Sequence, residues 1–212
     1  MNFLNGLFNT FKYLIMLVFI AIINNAYNIK NIPILILEYT ILTLIIIYMF
    51  YPLLREDLKK FKKNYKDMLI SSLKIYIPFV VLMIVSNYIL TKISGGIASN
   101  EQLNRDFLSS NIIYAMVSLI IFTPICEEII FRLAYKDSFK NNVLNILVTA
   151  FIFAAMHIIG ATKLIELVYI IPYFFLGLAF SLIYFKKKNI FPSITFHMFH
   201  NLICIIIIQV SL

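Results

Sequence analysis

The chain alternates long apolar runs with short polar connections. Seven runs are long enough for a transmembrane helix, which needs about 20 mostly apolar residues. They cover residues 7–27, 32–54, 69–93, 112–131, 143–159, 164–185 and 190–211. The two longest polar segments, 55–67 and 94–110, could each contain a short interfacial helix, which would raise the count to eight. The pattern therefore predicts an all-α fold, a polytopic membrane helix bundle of about seven to eight transmembrane helices.

The composition places this bundle in a bilayer. Of the 212 residues, 62% are hydrophobic and 13% are charged, whereas soluble domains have about 45–50% apolar and about 25% charged residues. A water-soluble domain of this size cannot bury so many apolar side chains. This excludes soluble enzymes, soluble DNA-binding domains and disulfide scaffolds. The two cysteines, Cys126 and Cys204, both lie in apolar runs, which favours lipid-buried thiols over a disulfide.

The basic residues predict the orientation of the helices. Cytoplasmic loops of membrane proteins are enriched in Lys and Arg. Of the 18 basic residues, 13 lie in the first run or in the even-numbered connections, 4 lie in the odd-numbered connections, and Lys74 is embedded. This bias predicts a cytoplasmic N-terminus and an outer C-terminus, and the first run, which has no small-residue cleavage site, is predicted to be an uncleaved helix. The net charge of +8 then needs no nucleic-acid partner, and we interpret the basic segment 55–66 as lying on anionic lipid headgroups.

Seven polar residues lie within three of the predicted spans or directly after one of them. An ionisable side chain in the bilayer costs at least about 2.5–3.5 kcal/mol, so such residues persist where they pair or have a function. One isolated polar residue in a span commonly forms a hydrogen bond to a neighbouring helix. This is the favoured interpretation of His200 when it is considered by itself. Seven in the C-terminal half predict a functional site; they are Glu127, Glu128, Arg132, His157, His197, His200 and Asn201.

Helix geometry separates the roles of these residues, because residues four apart share a helix face and neighbours diverge. Glu128 and Arg132 form such a pair, which leaves Glu127 free to act as a base. Phe153 lies four residues before His157 and can restrict its rotamers. A proline one turn before the glutamates, at position 124, is expected to loosen the helix there.

The third pair, His197 and Asn201, can donate two hydrogen bonds to an oxyanion. The chain contains neither H-E-x-x-H nor G-x-S-x-G, and its four aspartates lie outside the spans, so zinc-helix, serine and paired-aspartate mechanisms are disfavoured. The remaining chemistry is a carboxylate-histidine site. In it Glu127, assisted by His157, deprotonates a water that attacks an amide carbonyl.

The three motifs E-E-x-x-x-R, F-x-x-x-H and H-x-x-x-N, in this order, resemble the CAAX-protease and bacteriocin-processing family. This family includes type II CAAX prenyl endopeptidases and bacterial proteins of the self-immunity or abortive-infection type. The resemblance covers about residues 109–204, and the segment 172–201 is similar to the last two core helices of the family. The resemblance divides the chain into two regions. Residues 1–104 contain N-terminal transmembrane helices and a basic cytoplasmic loop, and residues 105–212 form a CAAX-protease-like catalytic core.

The resemblance implies an intramembrane endopeptidase of the glutamate type. Glu127 and His157 would activate the water, His197 and Asn201 would stabilise the oxyanion, and Glu128 with Arg132 would be the supporting pair. We expect no cofactor, because no thiolate is near and an asparagine is a poor zinc ligand, although zinc is the alternative. The Ile-, Asn- and Lys-rich composition is typical of an AT-rich bacterium, which predicts a bacterial cell membrane. The expected substrate is then a bacteriocin leader, a signalling-peptide precursor or another membrane-bound peptide, rather than a CAAX tail.

Two further functions compete with the peptidase. A non-catalytic membrane scaffold or immunity protein would bind a toxin or a sensor, but it would not need Glu127, His157, His197 and Asn201 together. A transporter would spread its polar residues over both halves of the chain, as inverted repeats do.

Helix lengths set one condition on the proposed site. At about 1.5 Å per residue, Glu127 lies about 13 Å from Lys136, and His197 lies about 13 Å from Lys188. His157 lies about 24 Å from Asn141 by the same rule. The fifth span must therefore begin further inside the cytoplasm, or be tilted or broken, for His157 to reach Glu127.

Overall fold

The structure, a computed structural model, describes residues 3–211. Within that range the chain is helical and has no strands, which confirms the predicted fold class. We number eight helices, counting a helix with a local change of pitch as one. They are α1 (Phe3–Ala26), α2 (Ile32–Met49), α3 (Tyr51–Ser94), α4 (Ser99–Ser110), α5 (Ile112–Tyr135), α6 (Asn142–Ile158), α7 (Leu164–Lys187) and α8 (Ile190–Ser211).

Six of these helices are long and apolar enough to cross a membrane: α1, α2, α3, α5, α7 and α8. The fifth predicted span corresponds to α6, which is apolar but has only 17 residues. Large apolar side chains cover the outside of the bundle, and Phe19, Ile22 and Tyr48 are each at least 60% exposed. A water-soluble protein does not expose such a surface, so the chain is an integral membrane protein.

Both long polar segments are helical. The first, 55–67, is continuous with the third span in the 44-residue helix α3, with one break in helical geometry at Asn64. The apolar helix α2 ends at Met49, and the next apolar run begins at residue 69. The segment between them connects two spans at one end of the bundle. It therefore lies along that end and does not cross the membrane. The second segment contains α4, a 12-residue polar helix at the opposite end.

The basic connections meet at one end of the bundle. The Asp57 carboxylate accepts from the Ile190 backbone N–H at 2.9 Å, and the Asn189 side chain donates to the Asp57 carbonyl at 2.7 Å. The start of α1 packs there too, with the Phe3 ring 6.0 Å from that of Tyr135. We call this end, with segments 55–66, 132–140 and 186–188, the basic end.

The other end of the bundle is closed by a polar cap. We define the cap as residues 95–110, which comprise the turn after α3 and helix α4. The hydroxyl of Ser94, the last residue of α3, lies 2.8 Å from that of Tyr169 on α7. Ser99 donates to the Glu166 carboxylate, and the Asn100 amide donates to the Tyr173 hydroxyl at 3.3 Å.

Helices α6 and α7 approach most closely at Gly177. A Cβ atom there would lie 2.8 Å from the Ala150 carbonyl oxygen and 3.1 Å from its Cα atom. Both atoms belong to the backbone of α6, so a side chain at position 177 can be accommodated only if the helices separate.

We expect Gly177→Ala to lower the free energy of unfolding by about 1–3 kcal/mol, the usual cost of overpacking. The matched control is Gly160→Ala, because a Cβ atom at Gly160 meets nothing within 4 Å. Unfolding of both variants in mixed detergent micelles measures the difference. Equal stability of the two variants would show that α6 and α7 are not packed as described.

Candidate active site

Three polar side chains from three helices converge inside the bundle. Glu127 lies on α5, His157 in the last turn of α6, and His197 on α8. The Oε2 atom of Glu127 is 3.9 Å from the Nε2 atom of His157 and 3.9 Å from that of His197. The Glu127 side chain is 14% exposed. The structure thus brings together the predicted base and both predicted histidines.

Two aromatic rings pack against His157. The Phe153 ring lies 4.2 Å from it, as the four-residue spacing predicts, and the Tyr173 ring lies 4.8 Å from it. Its Nδ1 atom is 2.8 Å from the Phe153 carbonyl oxygen. Because a carbonyl only accepts, Nδ1 carries a proton, so in the neutral ring Nε2 faces Glu127 with its lone pair.

The position of α6 supplies part of the additional length that His157 needs to reach the level of Glu127. Arg132, on α5, donates to the Thr149 carbonyl at 3.0 Å. Thr149 is seven residues from the start of α6, whereas Arg132 is three residues from the end of α5. At about 1.5 Å per residue, α6 begins about 6 Å beyond the end of α5. The part of α6 that extends beyond the end of α5 thus lies at the basic end.

Glu128 holds His197 in place. Its carboxylate is fully buried, with Oε1 3.0 Å from His197 Nδ1. Its other oxygen accepts from the Ser193 hydroxyl and lies 3.4 Å from Arg132 Nε. Since a carboxylate accepts, the Nδ1 atom of His197 carries a proton. The neighbouring glutamates therefore have different environments: Glu128 is surrounded by donors, and Glu127 faces two imidazoles.

Arg132 supplies the positive charge beneath the site. Its side chain is fully buried, and its guanidinium carbon lies 4.9 Å from the centre of the Phe153 ring. The predicted pair with Glu128 is present. With both carboxylates ionised, Glu127, Glu128 and Arg132 together carry one net negative charge.

Asn201 is bound to the helix that carries Glu127. One turn of α5, Ser118–Phe122, is a π-helix. Within it the Thr123 N–H donates to Ser118, and Pro124 has no N–H, so the Leu119 carbonyl loses both of its possible helical donors. Asn201 donates to this carbonyl at 2.7 Å. One amide N–H of Asn201 is used in this way, and a second N–H remains.

Comparison with known proteins bears on the same region. Residues 109–203 match the family described as Rce1-like, type II CAAX prenyl endopeptidase. Over these residues the chain matches the CAAX endopeptidase family. The match includes every residue of the three motifs, so the resemblance predicted from them is confirmed.

A second comparison extends beyond this region. An uncharacterized protein of Mycoplasma capricolum subsp. capricolum is 34% identical over 186 residues, which is 80% of this chain and 53% of that protein. The chain thus spans about half the length of the curated relative it matches. No solved structure matches the chain.

Three residues outside the CAAX-family motifs support the site. Ser193 bonds Glu128, Thr149 bonds Arg132, and Tyr173 stacks on His157. Ser193 lies four residues before His197, so the helix rule could have identified it. Thr149 and Tyr173 contact motif residues on other helices, so no spacing along the sequence indicates them.

His200 lies outside the site. Its Nδ1 atom is 3.0 Å from the Tyr76 hydroxyl on α3, and its Nε2 atom is 3.6 Å from the Cys204 sulfur. These contacts agree with the interpretation that His200 forms an interhelical hydrogen bond.

The donor geometry is unfavourable for zinc, the alternative raised by the resemblance. Ligands at about 2.0–2.1 Å in a tetrahedral zinc site lie about 3.3 Å apart, whereas both imidazole nitrogens are 3.9 Å from Glu127 Oε2. Within residues 3–211 no group of three or more His, Cys, Asp or Glu side chains has the arrangement of a metal site. The side chains of this site therefore do not fit a zinc ion.

Proposed function

We propose that this protein is an intramembrane endopeptidase of the glutamate type. The observation that carries the proposal is the Glu127 carboxylate oxygen at 3.9 Å from two imidazole nitrogens. That distance is too long for a direct hydrogen bond. The Glu127 oxygen is buried and has no hydrogen-bond partner among the described residues.

A water molecule suits this arrangement. Glu127 Oε2 and the Nε2 atom of a neutral His157 are both acceptors. A water between them can donate one proton to each, which directs its oxygen lone pair away from both. That oxygen is the proposed nucleophile, and the packed ring of His157 keeps it in one orientation.

Hydrolysis of an amide then follows in two steps. The water oxygen attacks the carbonyl carbon, Glu127 takes the water proton, and the carbonyl oxygen becomes an oxyanion. The second N–H of Asn201 and the imidazolium form of His197 stabilise this oxyanion; in that form Nδ1 donates to Glu128 and Nε2 carries the second N–H. Glu127 then transfers its proton to the leaving nitrogen as the carbon–nitrogen bond breaks.

The proposed substrate is a membrane-associated peptide or protein tail, with a bacteriocin leader or a signalling-peptide precursor as the leading classes. The support is the match to an endopeptidase family and the position of Glu127 inside an apolar bundle. The proposed location is a bacterial cell membrane.

The purified protein in liposomes, mixed with membrane and exported proteins of a deletion strain in ¹⁸O-water, tests the activity. We expect new peptide ends with ¹⁸O in the new carboxyl group, detected by mass spectrometry. His157→Asn should reduce their rate of formation by about 10²-fold, the usual cost of misplacing a reacting group, because the water loses the acceptor that orients it.

His200→Asn is the matched control, because His200 is also buried in the bundle but contacts Tyr76 instead of Glu127. It should retain cleavage in the fraction that folds. Equal loss in both variants at equal abundance would count against a specific role for His157.

A further inference from the structure

The basic-end side of the site is sealed by a buried polar layer. This layer consists of Glu128, Arg132, Thr149, Ser181 and Ser193, each at most 1% exposed. Its members are bonded to one another, with the Thr149 and Ser181 hydroxyls 2.9 Å apart. Phe180 and Ile183, both fully buried, lie in the same region of α7. A peptide cannot reach Glu127 from the basic end without breaking this layer.

The side facing the cap is less tightly closed. A cavity of about 10 Å³ lies against His157, with Asn100, Ala161 and Glu166 among its other lining residues. That volume is about the space one water needs. The side chains of Glu127 and His157 are 14% and 16% exposed, whereas that of His197, nearer the polar layer, is 3% exposed.

Hydrogen bonds to α7 hold the cap over the site. Tyr169 donates to the Gly96 carbonyl at 2.5 Å, Ser99 donates to Glu166, and Asn100 donates to the hydroxyl of Tyr173, whose ring packs against His157. Three of the five glycines of the chain border the cap or the facing loop: Gly95, with φ of +73°, Gly96 and Gly160. A Cβ atom at any of them would meet nothing within 4 Å, so no side chain packs against these three positions.

A lateral path between α1 and α6 fits a peptide less well. An open groove of about 520 Å³ lies there, with Leu7, Phe11, Ile152 and Met156 among its lining residues. Among the described residues, Thr10 is the only polar one in the lining, and its hydroxyl donates to the Gly6 carbonyl. A peptide backbone has to satisfy its N–H and C=O groups, and this surface offers it no free partner, so lipid is the better occupant.

We propose that substrates reach Glu127 from the cap end, which the basic-residue bias places at the outer face of the membrane. The substrates are then peptide segments exposed on the outer surface, such as an exported or inserted precursor, and a cytoplasmic prenylated tail does not fit. This inference rests on the proposed peptidase function for its substrate, but the accessibility of the site can be tested without cleavage.

Cysteine labelling tests the direction of access. In a background with Cys126→Ala and Cys204→Ala, single variants Ala161→Cys, in the cavity lining, and Lys62→Cys, at the basic end, are treated with a membrane-impermeant maleimide. We expect Ala161→Cys to react in intact spheroplasts and Lys62→Cys to react only in inside-out vesicles. Reaction of Ala161→Cys only in inside-out vesicles would overturn the proposal.

A second labelling experiment tests the cap. Ile158→Cys, beside His157 in the cavity lining, should react about three- to tenfold faster when Ser99→Ala is added, the factor that one hydrogen bond contributes to an opening equilibrium. Ser109→Ala is the matched control, since Ser109 is a serine of the same helix that bonds only the Asp106 carbonyl. An equal rate with Ser99→Ala and Ser109→Ala would show that the cap does not restrict access.

Cleavage in oriented proteoliposomes separates this inference from the proposed function. A pool of quenched peptides is added outside vesicles in which the cap end faces either outward or inward. Cleavage only with the cap end outward supports the inference, and cleavage only with the basic end outward overturns it. If no peptide is cut in either orientation, the peptidase proposal is weakened, while the labelling results still decide the direction of access.

Discussion

Glu127→Gln is expected to abolish peptide hydrolysis, with a rate at least about 10³-fold below that of the wild type, near the upper range for loss of a general base. Glutamine keeps the size and polarity of the side chain but cannot take a proton from water. The substitution removes a negative charge next to two imidazoles, so the protein should fold and accumulate normally. The measurement is the rate of ¹⁸O incorporation per folded molecule.

Glu38→Gln is the matched control for this prediction. Glu38 lies on α2 and accepts a 2.9 Å hydrogen bond from the Asn24 amide, so its carboxylate is also paired within the bundle. It does not belong to the site, and its replacement should leave the rate unchanged. If Glu127→Gln instead left both cleavage and the host phenotype intact, a non-catalytic scaffold or immunity protein would be the better description.

The second large effect is expected at the buried Glu128–Arg132 pair. Both side chains are fully buried. Removal of one partner leaves a charge in the apolar interior, which typically costs about 3–5 kcal/mol. We therefore expect Glu128→Ala and Arg132→Ala each to lower the free energy of unfolding by about this amount. Unfolding in mixed micelles of increasing SDS content gives the values.

The double variant Glu128→Leu/Arg132→Met separates stability from activity. Apolar side chains of similar volume often replace a buried ion pair at no cost, so it should be more stable than either alanine variant. It should nevertheless be inactive, because His197 loses the carboxylate that orients its ring. Wild-type activity in this double variant would contradict the role given to Glu128.

The pair Glu101–Arg105 is a control of the same geometry. It has the same residue types and spacing, with Nη2 and Oε1 2.8 Å apart, but both side chains are more than a quarter exposed. Exposed pairs contribute about 0–1 kcal/mol. A comparable loss of stability for Glu101→Ala and Glu128→Ala would show that burial is not the cause.

Much of the fold could be predicted because the bilayer imposes a simple rule on the chain. Only apolar segments of sufficient length remain in lipid, and seven such runs correspond to helices of the structure. Residues four apart share a face, so Glu128–Arg132 and Phe153–His157 were predictable as contacts. Segment 55–67 could not be assigned in this way, because a polar helix along the basic end and a loop have the same composition.

The sequence by itself determined that this is an integral membrane helix bundle, that most polar residues within or at the ends of its spans lie in the C-terminal half, and that three motifs of one family occur in order. Those conclusions depend on hydropathy and on contacts within one helix. Only the tertiary structure decided that Glu127 lies between His157 and His197, that Asn201 bonds a carbonyl freed by Pro124, and that the basic-end side of the site is the sealed one. Each of these depends on how helices distant in the chain are aligned against one another, and the spacing of residues along one helix contains no information about that alignment.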